Sequence, residues 1–537
     1  MVDRCHFRIH LSNPADNRHL PNILFITSVG WIQLAITYFT IYLLMRSTYL
    51  LATLIALIGI IRPSFLFATQ PRLTVVIVVD GMTQENLTKL RPFWSLGGLR
   101  TISEEAFQTT IDFPHLVNGG QETTATLMTG TTPSHHGIMG DQYFDRVYRV
   151  QTNTLQDDQA SGIGTTLQLS PRSITTTTLT DEWRIQNGAN AKIYAIGLQP
   201  QATILMAGHA ANACCWLDPH SLKWATTSFY SEGLPATADA MNISGRINQL
   251  AEQAWTPRLD ISMYTSPTKE ERKRSFNYMP KADILHTPAA NTLTIELALQ
   301  LQQSKELGKD NIADLLLLQL TTHSPKTTSD IITSAEQEDM YLYLNQDLGY
   351  LMDQLNQRIG KTSYQLFVVG RPIKGHSVNT YDMAGITIQR FNIDRAAALT
   401  STYLMAIYGH ERWVDGGFGP FIYLNRTLIE QKRLSLETIQ RQVANFIMDF
   451  EGVRVAYPIH EAIRSEYSNS IYRRHAGDVF FQLQDHWLLD TNDKTQYDFV
   501  IEKSPSAPLM LWSATLRTFP EKELNATDVK SLIINNK

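Results

Sequence analysis

A carboxylate at the end of a buried strand is the first feature of the sequence that could carry chemistry. Asp80 closes the apolar, β-branched run at residues 73–80 and is followed directly by Gly81. An unbroken apolar run of this length is typical of a parallel strand that helices cover on both faces. Ligands and catalytic groups gather at the carboxyl ends of such strands. Asp80 is therefore the first candidate for a ligand-binding or catalytic residue.

The cysteines offer less chemistry. The sequence has three, Cys5 near the N-terminus and the adjacent Cys214 and Cys215, and it contains no CxxC or Cys/His spacing typical of zinc. The adjacent pair could form a strained vicinal disulfide, but two small buried thiols in an apolar patch are the favoured interpretation. The cysteines therefore indicate neither a metal site nor a cellular compartment.

The elements that must position Asp80 show a regular alternation. Apolar runs like the first recur at residues 192–198, 313–320 and 364–370, and apolar residues at helical spacing mark 335–359. Strands alternating with helices predict an α/β fold, with a mostly parallel central sheet covered by helices on both faces. We expect a core at 70–420 with cap insertions near 142–180 and 216–290. Residues 421–515 should form a small C-terminal α+β subdomain and also complete the core. A tail follows at 516–537.

Composition excludes several classes of protein. Among the 537 residues 43% are hydrophobic and 18% charged, which is typical of a globular chain. The formal net charge is -5, and the Lys and Arg residues are scattered rather than gathered into the basic stripe that binding a phosphate backbone requires. Nucleic acid is therefore not an expected partner.

The N-terminal 69 residues contain two apolar runs. Residues 23–44 carry no charge and are long enough to cross a bilayer, and a second run at 49–61 follows Met45 and Arg46. Our preferred interpretation is that translation begins at Met45, that residues 45–69 are a signal peptide, and that residues 1–44 are an over-extended start. The alternative is a membrane anchor or hairpin made of both runs. Either interpretation predicts an exported protein of the periplasm or cell envelope, attached to a membrane only through an uncleaved N-terminus.

Two motifs give the sequence a resemblance to a known family. Residues 78–82 read VVDGM, and residues 128–138 read MTGTTPSHHGI about 50 residues later. In this combination they resemble the alkaline phosphatase superfamily, above all the phosphate-irrepressible alkaline phosphatases, which are related to nucleotide pyrophosphatase/phosphodiesterases. The likeness spans roughly residues 72–515. It implies an alkaline-phosphatase-like fold and, in active members, two zinc ions and a Thr or Ser nucleophile.

The resemblance also implies where the nucleophile should be. It lies nine residues before Thr129, and that position holds Gly120, which has no side chain to phosphorylate. Thr123 and Thr124 follow about one helical turn later, and we expect them to be helix-start and surface residues. Thr124 stands where the family usually has a histidine.

The positions that bind phosphate in the family are altered as well. Asp141 replaces the phosphate-binding Asn and is expected to repel a phosphoryl group. Gln199 and Gln201 replace a Lys-x-Arg pair. Two neutral amides cannot supply the electrostatic stabilisation on which phosphoryl transfer largely depends.

Most of the family's metal ligands are missing. His323 and Thr327 occupy the positions of one Asp/His set, and Arg371 and Pro372 those of the other. Ser506 stands where the last His is expected. Among these five residues only His323 is of a type that binds zinc, and no cofactor is expected.

Asp80 alone matches a family ligand, and two interpretations of its surroundings remain. Arg371 could pair with Asp80, so that a salt bridge replaces a metal ion. Alternatively, Asp80, Asp141 and His323 could form a rebuilt site for a single divalent cation. We favour the salt bridge, which predicts that Arg371→Ala destabilises the protein and that added zinc has no effect.

Three functions follow from these interpretations. The first is an exported, catalytically inactive pseudophosphatase that binds a protein or a small ligand. The second is an active phosphoric ester hydrolase, a phosphatase or phosphodiesterase, with a rebuilt metal-dependent site. The third is a soluble binding protein with a ligand such as a sugar or peptide in the old cleft. The strand and turn framework is intact while the functional positions have changed, and this favours the first.

Overall fold

The chain divides into two compact units, Met1–Ala68 and Thr69–Lys537. A computed structural model describes residues 33–45, 70–117, 120–264, 276, 284–325, 334–373, 389–485, 487–490, 502–503, 505–515 and 523–535. In the first unit, residues 33–45 form a helix, α1. None of the helices in these ranges is both long and apolar enough to cross a membrane. Apart from Met45, the predicted signal peptide lies outside the described residues.

A ten-stranded sheet forms the centre of the second unit. Its order in space is β20-β2-β19-β11-β1-β10-β7-β8-β9-β6, and all strands but β9 and β19 run in one direction. The bounds are β1 Leu73–Asp80, β2 Phe107–Asp112, β6 Gly162–Ile163, β7 Ile193–Gly197, β8 Ala213–Leu217, β9 Trp224–Thr227, β10 Asp314–Thr321, β11 Tyr364–Arg371, β19 Ser506–Ser513 and β20 Leu524–Asn525.

Helices cover both faces of this sheet. They are α2 Gln84–Leu90, α3 Gly98–Glu105, α4 Gln121–Thr129, α5 Pro133–His136, α6 Leu179–Asn187, α7 Pro200–Ala207, α8 Ala236–Ile243, α9 Arg246–Glu252, α10 Pro288–Ser304, α11 Ala335–Ile359 and α16 Val529–Asn535. Successive residues of β1 alternate between two apolar clusters, with Val75 and Ile77 in one and Val76 and Val78 in the other. This alternation explains why the strand is apolar throughout. The predicted α/β fold with a mostly parallel, doubly covered sheet is confirmed.

A second, four-stranded antiparallel sheet lies towards the C-terminus, with the order β13-β14-β16-β15. Its strands are β13 Val414–Phe418, β14 Phe421–Leu424, β15 Val453–Pro458 and β16 Val479–Leu483, and its helices are α12 Ile393–Tyr408, α13 Arg426–Gln431, α14 Leu436–Met448 and α15 Ile459–Ala462. Buried residues such as Trp413, Val443 and Phe481 form a core of its own. Five short strands complete the fold, β3 Leu116–Val117, β4 Gln142–Asp145, β5 Val150–Asn153, β12 Gln389–Asn392 and β17 Trp487–Asp490, together with the two-residue strand β18 Glu502–Lys503.

Several predicted boundaries differ from those observed. The small sheet with its helices begins before residue 421, because α12 and the glycine-rich strand β13 precede that position. Segment 216–290, predicted as an insertion, contains the end of β8 and all of β9, which belong to the main sheet. Segment 142–180 contains the hairpin β4–β5 and also β6, an edge strand of that sheet. Cys214 and Cys215 are free, buried thiols in β8, as the sequence favoured.

Candidate functional site

The carboxyl ends of three parallel strands bring Asp80 and Arg371 side by side. In the register of β1 with its two neighbours, Asp80 lies opposite Arg371 of β11 and Thr321 of β10. The backbone N–H of Gly81 donates to the carbonyl of Arg371 at 3.0 Å, which extends this pairing one residue beyond the strand. The sequence predicted both strands. Because their carboxyl ends are aligned in the sheet, the side chains of Asp80 and Arg371 lie next to each other.

Arg371 and Asp80 form a buried ion pair, as the favoured interpretation of the sequence predicted. Arg371 Nε donates to Asp80 Oδ1 at 2.6 Å, and both residues are completely buried. Arg371 Nη1 donates to the carbonyl of Gly120 at 3.1 Å and to Thr124 Oγ1 at 2.9 Å, and Nη2 donates to Gln199 Oε1 at 3.0 Å. One guanidinium therefore joins four positions to which the family resemblance assigned metal binding or phosphoryl transfer.

Gln319 forms a hydrogen bond with the other oxygen of the Asp80 carboxylate. Its Nε2 donates to Asp80 Oδ2 at 2.6 Å, while its Oε1 accepts from the backbone N–H groups of Leu198 and Gln199 at 2.6 and 2.8 Å. This amide connects β1 to the loop after β7, and it is fully buried. Sequence reasoning missed Gln319, although a single amide within the apolar run of β10 was the signal that could have found it.

Gly120 shows why the nucleophile position tolerates no side chain here. It caps the N-terminus of α4 in the left-handed conformation, at φ +96°. A β-carbon at this position would meet Ile373 Cγ1 at 3.3 Å, and a left-handed φ is unfavourable for L-residues with a side chain. The carbonyl of Gly120 accepts from Thr123 Oγ1 at 2.6 Å as well as from Arg371. The expected nucleophile is thus replaced by a left-handed turn that glycine adopts without strain and whose carbonyl serves as an acceptor.

Thr123 and Thr124 are completely buried, and the expectation that they lie on the surface is wrong. Both hydroxyls are directed at the start of α4, where they contact the carbonyl of Gly120 at 2.6 and 3.4 Å. The whole of α4 is buried, because it packs between the main sheet and neighbouring helices. Because this helix has no exposed face, threonines at its start are buried although their residue type is more often found at the surface.

Asp141 contributes a carboxyl group that is shielded from water. Burial and the nearby carboxylate of Glu122 together raise the pKa of Asp141 to about 8, against the opposing effects of Arg371 and the backbone N–H of Gln121. Its Oδ1 atom is buried and has no hydrogen-bond partner among the described residues. Asp141 is therefore largely protonated at neutral pH, so the charge repulsion of a phosphoryl group expected from the sequence sets in only at higher pH.

The two glutamines predicted to replace the family's cations join the same cluster. Gln199 accepts from Arg371, and Gln201 Oε1 accepts from Gln121 Nε2 at 3.3 Å, just inside the start of α7. Each side chain is neutral, so the positive charge of this region comes from Arg371. The segment after β7 therefore takes part in the site through hydrogen bonds rather than through charge.

The remaining predicted residues do not join this cluster through hydrogen bonds to Arg371. His323 is buried, and its backbone N–H donates to Thr321 Oγ1 at 3.0 Å. The carbonyl of Pro372 accepts a long bond of 3.4 Å from Thr123 Oγ1. Ser506 is an exposed residue at the start of β19, paired in register with Asp112. Thr327 lies outside the described residues.

The residues present do not fit the two zinc ions of the family. Within the described ranges, no three or more His, Cys, Asp or Glu side chains form a group that could hold a metal, so Asp80, Asp141 and His323 do not form the rebuilt site considered above. Both oxygens of Asp80 are already engaged by Arg371 and Gln319. A buried guanidinium beside the one remaining ligand also opposes the binding of a cation by charge.

The fold and this strand-edge site place the protein in the alkaline phosphatase superfamily. The chain matches the type I phosphodiesterase/nucleotide pyrophosphatase family over residues 74–506 and belongs to it. It is similar to alkaline phosphatase PafA of Elizabethkingia meningoseptica, at 25% identity over 452 residues, which cover 78% of this chain and 82% of PafA. It is also similar to alkaline phosphatase PhoV of Synechococcus elongatus, at 24% identity over 78% of this chain and 81% of PhoV.

The fold is shared with a solved structure. The crystal structure of wild-type PafA superposes with a TM-score of 0.76 at 22% identity, covering 87% of this chain and 96% of that chain. The relatives named here are phosphoric ester hydrolases, and the architecture that carries their activity is present in this protein.

Proposed function

We propose that the protein is an exported, catalytically inactive member of its family that acts by binding a protein or a small ligand. The observation that carries the proposal is the contact set of Arg371. Its guanidinium engages Asp80, the carbonyl of Gly120, Thr124 and Gln199, which stand at the positions for a metal ligand, the nucleophile, a histidine and a phosphate-binding cation. An arginine is always protonated, so it cannot act as the base that activates a hydroxyl nucleophile.

Two buried acceptor atoms near this cluster support a binding role. Asp141 Oδ1 and Gln121 Oε1 have no hydrogen-bond partner among the described residues. Buried polar atoms in folded proteins are nearly always paired, so unpaired acceptors favour the arrival of a donor from outside. A ligand that donates hydrogen bonds into the altered cleft would meet both.

The alternative is an active phosphatase or phosphodiesterase with relocated groups. It is favoured by the names of the relatives and by the position of Thr124, whose hydroxyl lies 2.9 Å from Arg371 Nη1. In this alternative a threonine of α4 would replace the missing nucleophile. The hydroxyls of Thr123 and Thr124 both donate to the carbonyl of Gly120, which is the back-bonding typical of helix threonines rather than the orientation of an activated nucleophile.

Hydrolysis assays on the purified full chain test the proposal. We expect no turnover of p-nitrophenyl phosphate or bis-p-nitrophenyl phosphate above that of a heat-denatured sample, with or without added zinc, and metal analysis by mass spectrometry should find less than one zinc per chain. Turnover that Asp80→Ala or Thr123→Ala abolishes, together with more than one bound zinc per chain, would overturn it. Gly120→Thr, with folding checked by circular dichroism because the position disfavours a side chain, should not gain activity from the restored hydroxyl alone.

A further inference from the structure

A cavity of about 320 Å³ lies between the N-terminal part of α10, the middle of α11 and the segment that follows α9. Its apolar lining includes Ala251, Trp255, Pro288 and Tyr343. A volume of this size accommodates a small organic molecule. The cavity shares no residue with the Asp80–Arg371 cluster, so an inference about it does not depend on the function proposed above.

Two acids on α11, one of which lines this cavity, have very different surroundings. Asp339 is fully engaged, because it accepts from Trp255 Nε1 at 2.6 Å, from the Tyr264 hydroxyl at 2.6 Å and from the backbone N–H of Arg258 at 2.9 Å. These three bonds fix the segment after α9 against the helix. Asp347, two turns further along, lies on the same face of α11. The role of Asp339 is therefore structural.

Asp347 is buried with little hydrogen bonding of its own. It is only 9% exposed, and within the described ranges its one donor is the Thr292 hydroxyl, 3.2 and 3.3 Å from the two carboxylate oxygens. The neighbouring Glu296 is held by Arg246 at 2.6 and 3.0 Å. Burial raises the pKa of Asp347 to about 7, Glu296 adds to this shift, and the charge of Arg258 opposes it. A buried carboxyl whose two oxygens share one hydroxyl donor can accept a further hydrogen bond.

Arg258 places a positive charge at the same cavity. Its guanidinium lies over the ring of Tyr343, 5.0 Å from the ring centroid, and the Tyr343 hydroxyl is fixed by a bond of 2.7 Å to the carbonyl of Thr256. Arg258 and Asp347, both in the described part of the chain, form no ion pair within 4.0 Å, although both line the cavity. One cavity with both apolar and polar walls thus presents a cation and a carboxyl group that do not neutralise each other by contact.

We propose that this cavity binds a small zwitterion of the amino-acid type. The ammonium group of the ligand donates to Asp347, its carboxylate accepts from Arg258, and its apolar body packs between Trp255 and Tyr343. A primary ammonium supplies the donors that Asp347 lacks, and the bond to Arg258 is the charge-assisted kind that guanidinium forms well with carboxylates. The aromatic walls favour an apolar side chain and stabilise the ammonium further.

Three probes that share a phenyl ring but differ in charge test the ligand class. We expect calorimetric titration of the full chain at pH 7.5 to detect L-phenylalanine, which is zwitterionic. 2-Phenylethylamine, which lacks the carboxylate, should bind at least tenfold more weakly, and 3-phenylpropionate, which lacks the ammonium, more weakly still. Failure of all three to bind at 5 mM, or equal affinity for the amine and the amino acid, would overturn the proposal.

Variants of the two charged residues locate the binding. Asp347→Asn keeps the bond from Thr292, and Arg258→Gln changes an exposed side chain, so both should fold, which circular dichroism checks. Each should weaken L-phenylalanine binding by tenfold or more. Asp353→Asn, an exposed carboxyl on the same helix, is the matched control and should leave the affinity unchanged. Equal affinities in the wild type and in both Asp347→Asn and Arg258→Gln would show that the amino acid binds elsewhere.

Discussion

Arg371 carries a charge that cannot be removed by deprotonation, in a place that water does not reach. Burying such a group costs several kcal/mol unless it is paired and hydrogen-bonded. Asp80 supplies the opposite charge, and Gly120, Thr124 and Gln199 accept three further bonds, so four of the five guanidinium N–H groups have an acceptor. The sequence predicted the pair from position alone, but the three further acceptors required the three-dimensional arrangement of α4 and the loop after β7.

We expect Arg371→Ala to destabilise the protein by about 3–5 kcal/mol, because the change leaves the carboxylate of Asp80 buried beside Gln319 without its counter-charge. Urea unfolding monitored by tryptophan fluorescence measures this loss. Added zinc should not restore the stability. The double variant Asp80→Asn/Arg371→Met removes both charges and keeps the volume of the side chains. It should lose less stability than Arg371→Ala does. An Arg371→Ala variant as stable as the wild type would contradict the ion-pair account.

Asp141 predicts a dependence of stability on pH. Its pKa is raised to about 8 in the folded protein, against about 3.8 for an unperturbed carboxyl, so the native state binds the proton more tightly than the unfolded state does. Its contribution to the free energy of unfolding therefore falls as the pH rises between these two values, by up to ~1.4 kcal/mol per pH unit. Asp141→Asn should gain stability relative to the wild type between pH 5 and pH 8.

Thermal unfolding of both proteins across this range is the measurement. Asp353→Asn, in which an exposed carboxyl is neutralised, is the control and should follow the wild type. A constant difference between Asp141→Asn and the wild type from pH 5 to pH 8 would show that Asp141 does not hold its proton.

Among the elements, the sequence predicted best the fully buried strand β1 and the long helix α11. Residues 73–80 and 335–359 were predicted as a strand and a helix and form them within the same bounds, since an unbroken β-branched run and a long 3.6-residue period leave few alternatives. Strand β13 was missed because VDGGF reads as a turn, and β9 was assigned to an insertion because it contains only four residues. Such elements depend on neighbours that the local sequence does not reveal.

Gln319 joins two of these elements, and we expect its removal to loosen both. Gln319→Leu leaves two backbone N–H groups after β7 and one oxygen of Asp80 without partners, which should cost about 3 kcal/mol. Gln365→Leu is the matched control, because Gln365 is also a buried amide of the sheet and donates to the hydroxyl of Thr74 at 3.0 Å. The control should lose about 1 kcal/mol. Equal losses in the two variants, measured by urea unfolding, would contradict the bridging role of Gln319.

At the scale of the whole molecule, two spaced motifs were enough to predict the fold, because VVDG and the later TG-x-x-P-x-x-HGI segment lie at strand and helix ends that this fold brings together. The cavity beside α11 could not have been predicted. It depends on how the weakly periodic segment around Trp255 and Arg258 is fixed by Asp339, a contact between residues about 80 positions apart. Arg258 and Asp347 gave no signal in the sequence, since neither belongs to a motif.

Export of the whole chain is a separate prediction. We expect residues 45–75, fused to a β-lactamase that lacks its own leader, to confer ampicillin resistance. After Met45 the sequence has a positive charge, then an apolar run and then a small residue, which is typical of a signal peptide. Sequencing the N-terminus of the exported full chain should give a start near residue 69. A fusion from which residues 49–61 are deleted is the control and should confer no resistance. Equal resistance with and without that run would contradict the prediction.

The left-handed turn at Gly120 has an evolutionary consequence. Any side chain there meets Ile373 and forces an unfavourable backbone, and an aspartate at position 371 would set a second buried carboxylate against Asp80 in the adjoining strand. Under the proposed function, each single substitution back towards the family's residues would therefore cost stability before it could add activity. The nucleophile and the metal ligands would have to return together.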